Sequence, residues 1–192
     1  MSTHKRHDHP TGAPRAGGSE DPSTEVLRLL NRGADLLQRG QTREALPHLQ
    51  CARAMDAANV AVAINLGGCL IMLGRPKEAI PLLEEAVEVE VDNAMIWMNL
   101  GAAYLGNPIL ATVEKQERAI GAFRRALALQ PGMPNANYNL GLIFRDQGNW
   151  AAALDEFRQA LDINPGDRDA RSLMDNIAAR LTTADGEDQP LQ

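Results

Sequence analysis

The sequence predicts an all-α fold, a solenoid of antiparallel helix pairs, on three observations. Its apolar content of 44% comes mainly from Ala and Leu, and aromatic residues make up only 4%. Such a composition suits helices packed closely through small residues better than it suits a sheet. The triplet Asn-Leu-Gly recurs at Asn65-Leu66-Gly67, Asn99-Leu100-Gly101 and Asn139-Leu140-Gly141, with a weaker version at Asn31-Arg32-Gly33. Its glycines are separated by 34, 34 and 40 residues, a period that marks stacked helical units. Each triplet is followed by a second phrase, centred on Ala45, Ala79, Ala119 and Ala153. The Gly-to-Ala spacing is 12 residues in units one, two and four but 18 in unit three, so unit three carries six extra residues between its phrases.

Residues 1–24 are rich in Pro, Gly, Thr and Asp and lack periodicity, so disorder is expected there. They contain no apolar stretch of the kind a secretory leader needs. The repeat array is assigned to 25–167, divided as 26–59, 60–93, 94–133 and 134–167. Gly40, Gly74 and Gly148 fall where first helices should end and are expected to supply a left-handed C-cap. Pro47 and Pro81 fit if they sit in the first turn of a second helix, where N–H groups have no intrahelical partner. Pro131 and Pro165 are expected to stop the last two second helices. The insertion over Leu105–Glu117 contains Asn107-Pro108, and Val113–Glu117 can extend the second helix of unit three. Residues 168–182 read as a capping helix with Ala170, Leu173, Met174, Ile177 and Leu181 on one face. A solenoid needs such a cap because its last unit would otherwise expose an apolar face. Residues 183–192 are expected to be a second disordered tail.

A 34-residue helix–turn–helix with small residues at positions 8, 20 and 27 resembles the tetratricopeptide repeat. Unit three shows Trp97, Leu100, Gly101 and Tyr104 at positions 4, 7, 8 and 11, then Ala119, Phe123, Ala126 and Pro131 at 20, 24, 27 and 32. Unit four shows Leu140, Gly141, Phe144, Ala153, Phe157, Ala160 and Pro165. Unit two shows Leu66, Gly67, Leu70, Ala79, Leu83 and Ala86, with Val91 at the place of the terminal Pro. Unit one departs most, with Arg32 at the apolar position 7 and Ala57 in place of Pro. The resemblance runs from Val26 to Asp167, about three-quarters of the chain. It implies an α-α superhelix whose first helices line a concave groove, and binding of another polypeptide in place of catalysis.

Within that frame the groove is assigned to residues opposite the packing stripe of the first helices. Position 6 is Asn31, Asn65, Asn99 and Asn139. A carboxamide carries a donor and an acceptor and can match an extended peptide backbone. The other reading is that these amides only hydrogen-bond within their own groove wall. Position 5 supplies Leu30, Ile64, Met98 and Tyr138, and position 12 supplies Leu37, Ile71, Leu105 and Arg145. Met72 and Met95 add soft, adaptable surface. The expected partner is therefore a protein or peptide bearing an extended or apolar segment. Members of the family that clamp acidic chaperone tails carry cations at set positions. At those five places this chain has Leu30, Ala34, Asn65, Met95 and Asn99, and only Asn65 matches.

Three readings of function follow: a non-enzymatic adaptor or scaffold, a dedicated chaperone shielding an apolar client segment, and a homo-oligomerisation module. The net charge of −6 argues against a nucleic-acid partner. No apolar run is long enough for a membrane span, and no metal, phosphate-loop or nucleophile–base pattern stands out, so neither a cofactor nor catalysis is expected. His4, His7 and His9 form a tail cluster without the second shell of a metal site. Cys51 and Cys69 have no metal-ligand or CxxC spacing; Cys69 reads as a buried small hydrophobe and Cys51 as accessible. A reducing compartment, the cytoplasm, is the expected location.

Overall fold

A computed structural model describes residues 21–187, which are organised as four helical hairpins and a final helix. The hairpins pair α1 (Pro22–Gln38) with α2 (Thr42–Met55), α3 (Val60–Met72) with α4 (Pro76–Val89), α5 (Ala94–Leu105) with α6 (Val113–Leu129) and α7 (Pro134–Asp146) with α8 (Trp150–Ile163). Helix α9 (Arg168–Glu187) packs on α8. The tail histidines and residues 188–192 lie outside the described residues. Two expected boundaries move. Asp21 accepts a hydrogen bond from the Ser23 N–H and caps α1, so Pro22 to Thr24 are helical and not part of a tail. Helix α9 runs five residues past the end expected at 182.

Each hairpin closes on the same contact. An added Cβ at Gly33 would lie 2.5 Å from Leu49 Cδ2, at Gly67 2.8 Å from Leu83 Cδ2, at Gly101 2.5 Å from Phe123 Cδ1, and at Gly141 2.7 Å from Phe157 Cε1. The glycine of the first helix is thus the seat for the bulky residue of the second. Ala45, Ala79, Ala119 and Ala153, all fully buried, keep the opposite helix equally close. Leu49, Leu83, Phe123 and Phe157 are themselves fully buried, so the contact forms the centre of each unit.

Three hairpins turn through the same motif. Gly40, Gly74 and Gly148 each have φ of 73°. The N–H groups of Gly40 and Gln41 bond to Leu37 O and Leu36 O at 3.0 and 2.9 Å, the paired bonds of a Schellman cap. The same pairs form at Gly74–Arg75 and Gly148–Asn149. The second helices all end at one register, Met55, Val89, Leu129 and Ile163, although only the last two are followed by proline. Hairpin register therefore sets those ends, and Pro131 and Pro165 accompany them. Pro47 and Pro81 depart from expectation. Each is the sixth residue of its helix, beyond the first turn, and takes the i+4 donor from Arg43 O and Lys77 O. Both prolines and both carbonyl-bearing residues are exposed, so solvent can satisfy those carbonyls.

The core is continuous along the array. One cluster fills units one and two and reaches Ile96, Leu100 and Ala103; a second runs from Leu105 to Ile177. Trp97 and Tyr104 pack against both and join them. Helix α1 touches α3 and α3 touches α5, whereas no two second helices touch to that extent among the described residues. The first helices of units one to three therefore lie on the inside of the curve. Outside, Arg53 pairs with Glu85, Arg118 with Glu84 at 2.9 Å and Arg125 with Asp92 at 2.8 Å, each across neighbouring units. Such exposed pairs contribute about 0.2–1 kcal/mol each, so burial carries the stacking.

Among the described residues two buried oxygens lack a protein donor: Oδ1 of Asn137, 1% exposed at repeat position 4, and Oε2 of Glu156. Burial pushes the Glu156 carboxyl up from the usual carboxylate range, against a smaller downward pull from Arg124. The folded state then binds a proton more tightly than the unfolded one, so ionised Glu156 destabilises the fold once the pH exceeds the ordinary glutamate value. Glu156→Gln is expected to raise the thermal midpoint at neutral pH, with the advantage gone by about pH 3.5, where both states are protonated. A pH series of melting curves on both proteins checks this. The glycine seats are checked by a pair of alanines. Gly101→Ala drives a methyl into a rigid ring and should destabilise by about 1–3 kcal/mol. Gly121→Ala lies on the exposed face of α6 with nothing within 4 Å, and should stabilise by about 0.5–1 kcal/mol in denaturant unfolding.

Candidate peptide-binding groove

The inner face is built from residues that the first helices turn away from their hairpin partners. Across the first three units this face carries no charged side chain at positions 2, 5, 6, 9, 12 and 13. Charge enters only in unit four, as the pair Arg145–Asp146 at 2.7 Å. Ala34, Gly68 and Ala102 form a low floor between the larger side chains, and a Cβ on Gly68 would sit 3.7 Å from Asn99 Nδ2.

The four asparagines do not form a uniform row. Asn65 donates through Nδ2 to Ala61 O at 2.9 Å, and Asn139 donates to Asn135 O at 2.7 Å, both one turn back on their own helix. Asn99 instead donates to Ile64 O at 3.2 Å and ties α5 to α3. Asn31 is exposed on α1. In three of the four, then, one amide N–H is bonded to the groove wall.

Of the apolar candidates, Leu30 is corrected: it is 8% exposed and belongs to the first core, because α3 packs against α1 and takes it inside. Leu105, also placed on the groove by its position, is buried in the second core. Ile64 and Ile71 are half-buried against the first core, and Met98 against the second. Tyr138 sets its ring edge against Phe157, with centroids 5.8 Å apart. Burial pushes its hydroxyl pKa up, with Asp169 and Asp167 adding to the effect, which sets this ring beside the start of α9. Met95 is 46% exposed and Met72 more so. Leu27, at repeat position 2 of α1, is exposed and joins them, although no feature of the sequence singled it out. Of these apolar side chains Leu27, Met72 and Met95 are therefore the accessible ones, and Ile64, Ile71 and Met98 are partly covered.

Sequence reasoning also missed a polar cluster at the other edge. Tyr104 donates its hydroxyl to Glu84 Oε1 at 2.8 Å, Arg118 donates to the same oxygen at 2.9 Å, and the guanidinium lies 3.9 Å over the Tyr104 ring. Cys69 is fully buried and donates its thiol to Thr42 O at 3.4 Å; burial pushes its pKa up. Cys51 is exposed. Among the described residues no three His, Cys, Asp or Glu side chains gather to hold a metal, and no helix is long and apolar enough to cross a membrane.

Four stacked helical hairpins define a helical-repeat interaction module. Two models of the tetratricopeptide repeat match residues 36–104 and 113–168, together more than half of the chain, and the chain belongs to the tetratricopeptide-repeat family. No curated protein matches the sequence. Solved structures do match the fold. A MamA crystal structure is 24% identical with a TM-score of 0.64, over 80% of this chain and 86% of that one. PilF of Pseudomonas aeruginosa is 21% identical with a TM-score of 0.70, over 84% and 71%. A chain of the APC/C Cut9–Hcn1 hetero-tetramer is 21% identical with a TM-score of 0.69, over 79% of this chain but 29% of that one. At these identities the likeness is one of fold.

The distinction among the asparagines is measurable. Asn99→Ala removes a bond between units and should cost about 1 kcal/mol in denaturant unfolding. Asn65→Ala removes only a bond within one helix turn and should cost less than half of that.

Proposed function

We propose that this protein is a non-catalytic adaptor that holds a polypeptide segment in its inner groove. The observation that carries the reading is the run of three consecutive first helices without a charged side chain at repeat positions 2, 5, 6, 9, 12 and 13, with an asparagine in each and exposed Leu27, Met72 and Met95. An extended segment would donate its backbone N–H groups to Oδ1 of Asn65, Asn99 and Asn139, and place apolar side chains against Met95, Met98, Ile64 and Ile71. Asn31 and Tyr138 mark the two ends of that track. Backbone recognition gives affinity with little sequence reading, and the methionines adapt to different side chains. The Cut9–Hcn1 assembly, in which a chain of this fold joins a hetero-tetramer, supports the class of activity.

A second reading, a dedicated chaperone for one apolar client segment, is favoured by the exposure of Leu27, Met72 and Met95 together. The two readings share a site and differ in the ligand, extended and polar-backboned in one, continuous and apolar in the other. The free thiols of Cys51 and Cys69 favour a reducing, cytoplasmic location.

The test is affinity capture from native extract followed by mass spectrometry, with the wild type beside Asn65→Ala/Asn99→Ala and beside Met95→Glu. The expected result is a partner held by the wild type and weakened about tenfold or more by both variants, a change of about 1.4 kcal/mol in binding. Met95 is exposed, so its substitution leaves the fold intact and controls for the stability lost with Asn99. Partners retained equally by all three proteins would remove the groove from consideration.

A further inference from the structure

The insertion in unit three builds a second surface that the groove does not use. Helix α5 ends at Leu105 without the Schellman cap of the other hairpins, and the chain passes through Gly106 at φ 58° into a 3-10 turn at Pro108–Leu110. Helix α6 then begins at Val113, capped by Thr112. One side of this excursion is tied down. Ala111 packs on the second core, and buried Gln116 accepts a hydrogen bond from Gln147 Nε2 of unit four at 3.0 Å. The other side is left outward, with Leu110 74% and Val113 68% exposed.

Between that outward side and the first turn of α4 lies a cleft of about 240 Å³. Pro76, Lys77 and Ile80 form one wall, and Leu105, Leu110 and Lys115 the other. Tyr104 and Arg118 also line it, and both are locked through Glu84, which answers the Arg118 charge. The volume is below the roughly 300–1,000 Å³ typical of small-molecule sites and suits one or two side chains of a peptide. All three charged side chains in the lining are cations, Lys77, Lys115 and Arg118, in a protein whose net charge is −6. Lys77 and Lys115 make no ion pair among the described residues.

We propose that this cleft docks an acidic segment of a second polypeptide, with a large aliphatic side chain between Ile80 and Leu110 and flanking carboxylates on Lys77 and Lys115. The charge of the lining selects the partner: the inner groove is neutral over the same units and offers an acidic peptide nothing to pair with. The cleft sits where α4 and α6 begin and α5 ends, at the edge of the array, and its lining shares none of the asparagines or methionines assigned to the groove. The protein then holds two segments of different chemistry at once, which is what a scaffold requires. This proposal stands independently of groove binding.

The test selects randomised heptapeptides displayed on phage against the full chain, then measures the best binder, fluorescein-labelled, by anisotropy. The expected consensus is a large aliphatic residue flanked by Asp or Glu. Its affinity should fall about tenfold or more in Lys77→Glu/Lys115→Glu and in Leu110→Asp, weaken with added salt, and stay unchanged in Asn65→Ala/Asn99→Ala. All three cleft residues are exposed, so unchanged melting curves are expected and separate lost binding from lost fold. The proposal is overturned if no acidic–aliphatic consensus emerges, if the charge-reversed protein binds the peptide as tightly as wild type, or if only the asparagine variant loses it. It is equally overturned if sedimentation shows self-association that Leu110→Asp abolishes, since a second copy would then be the occupant.

Discussion

The close approach of a glycine to a bulky partner, repeated four times, is the constraint from which the rest of this structure follows. Because Gly33, Gly67, Gly101 and Gly141 have no Cβ, Leu49, Leu83, Phe123 and Phe157 occupy the space a side chain would take. That brings the two backbones of each hairpin together and buries four alanines completely on the facing helix. A hairpin this tight has few ways to present its outer surfaces. Its first helix must turn the residues opposite the glycine inward, and its second must carry the charged face. The inner groove and the ion pairs outside are thus two consequences of one packing decision. The exchange of Leu for Phe between the first two units and the last two changes the filling without changing the scheme, as a close-packed interior allows when volume is redistributed.

Much of this was legible in the sequence because packing at such short range admits few residues. The Asn-Leu-Gly triplets, the alanines twelve residues on and the three glycine caps all report backbone geometry, and backbone geometry repeats. What the sequence concealed was the surroundings of side chains at equivalent positions. Leu30, Ile64 and Met98 share repeat position 5, yet Leu30 is buried while the others keep partial access, because neighbouring helices differ. The asparagines share position 6, yet one bridges two helices and two fold back on their own. Periodicity names the face a residue occupies, and stacking decides how much of it remains accessible. The cluster of Tyr104, Glu84 and Arg118 was hidden for a related reason: its members come from three helices and meet only when the units stack.

The asparagines also change what the groove can offer. Read from the sequence, a carboxamide row presents donors and acceptors alike. In the folded chain one N–H of each of Asn65, Asn99 and Asn139 bonds to the wall, which fixes the amide. Fixing the amide in advance removes part of the ordering cost that a ligand would otherwise meet. The two readings, wall contact and ligand contact, are therefore compatible: the bond to the wall uses one of the two amide N–H groups, and the second N–H and the oxygen remain as hydrogen-bonding capacity.

The insertion shows how a repeat protein acquires a feature without disturbing its stack. Six residues divide between a longer connection and an earlier start to α6, while Phe123 still meets Gly101 and Leu129 still ends the helix at the common register. The hairpin absorbs the extra chain at its open edge, the place where a solenoid has no neighbour to displace. There the chain can expose Leu110 and align Lys115 with Lys77 of the preceding unit, a juxtaposition no uninterrupted pair of repeats would produce. The glycine contact keeps the fold constant, and that constancy lets a local change at the edge become a surface of its own.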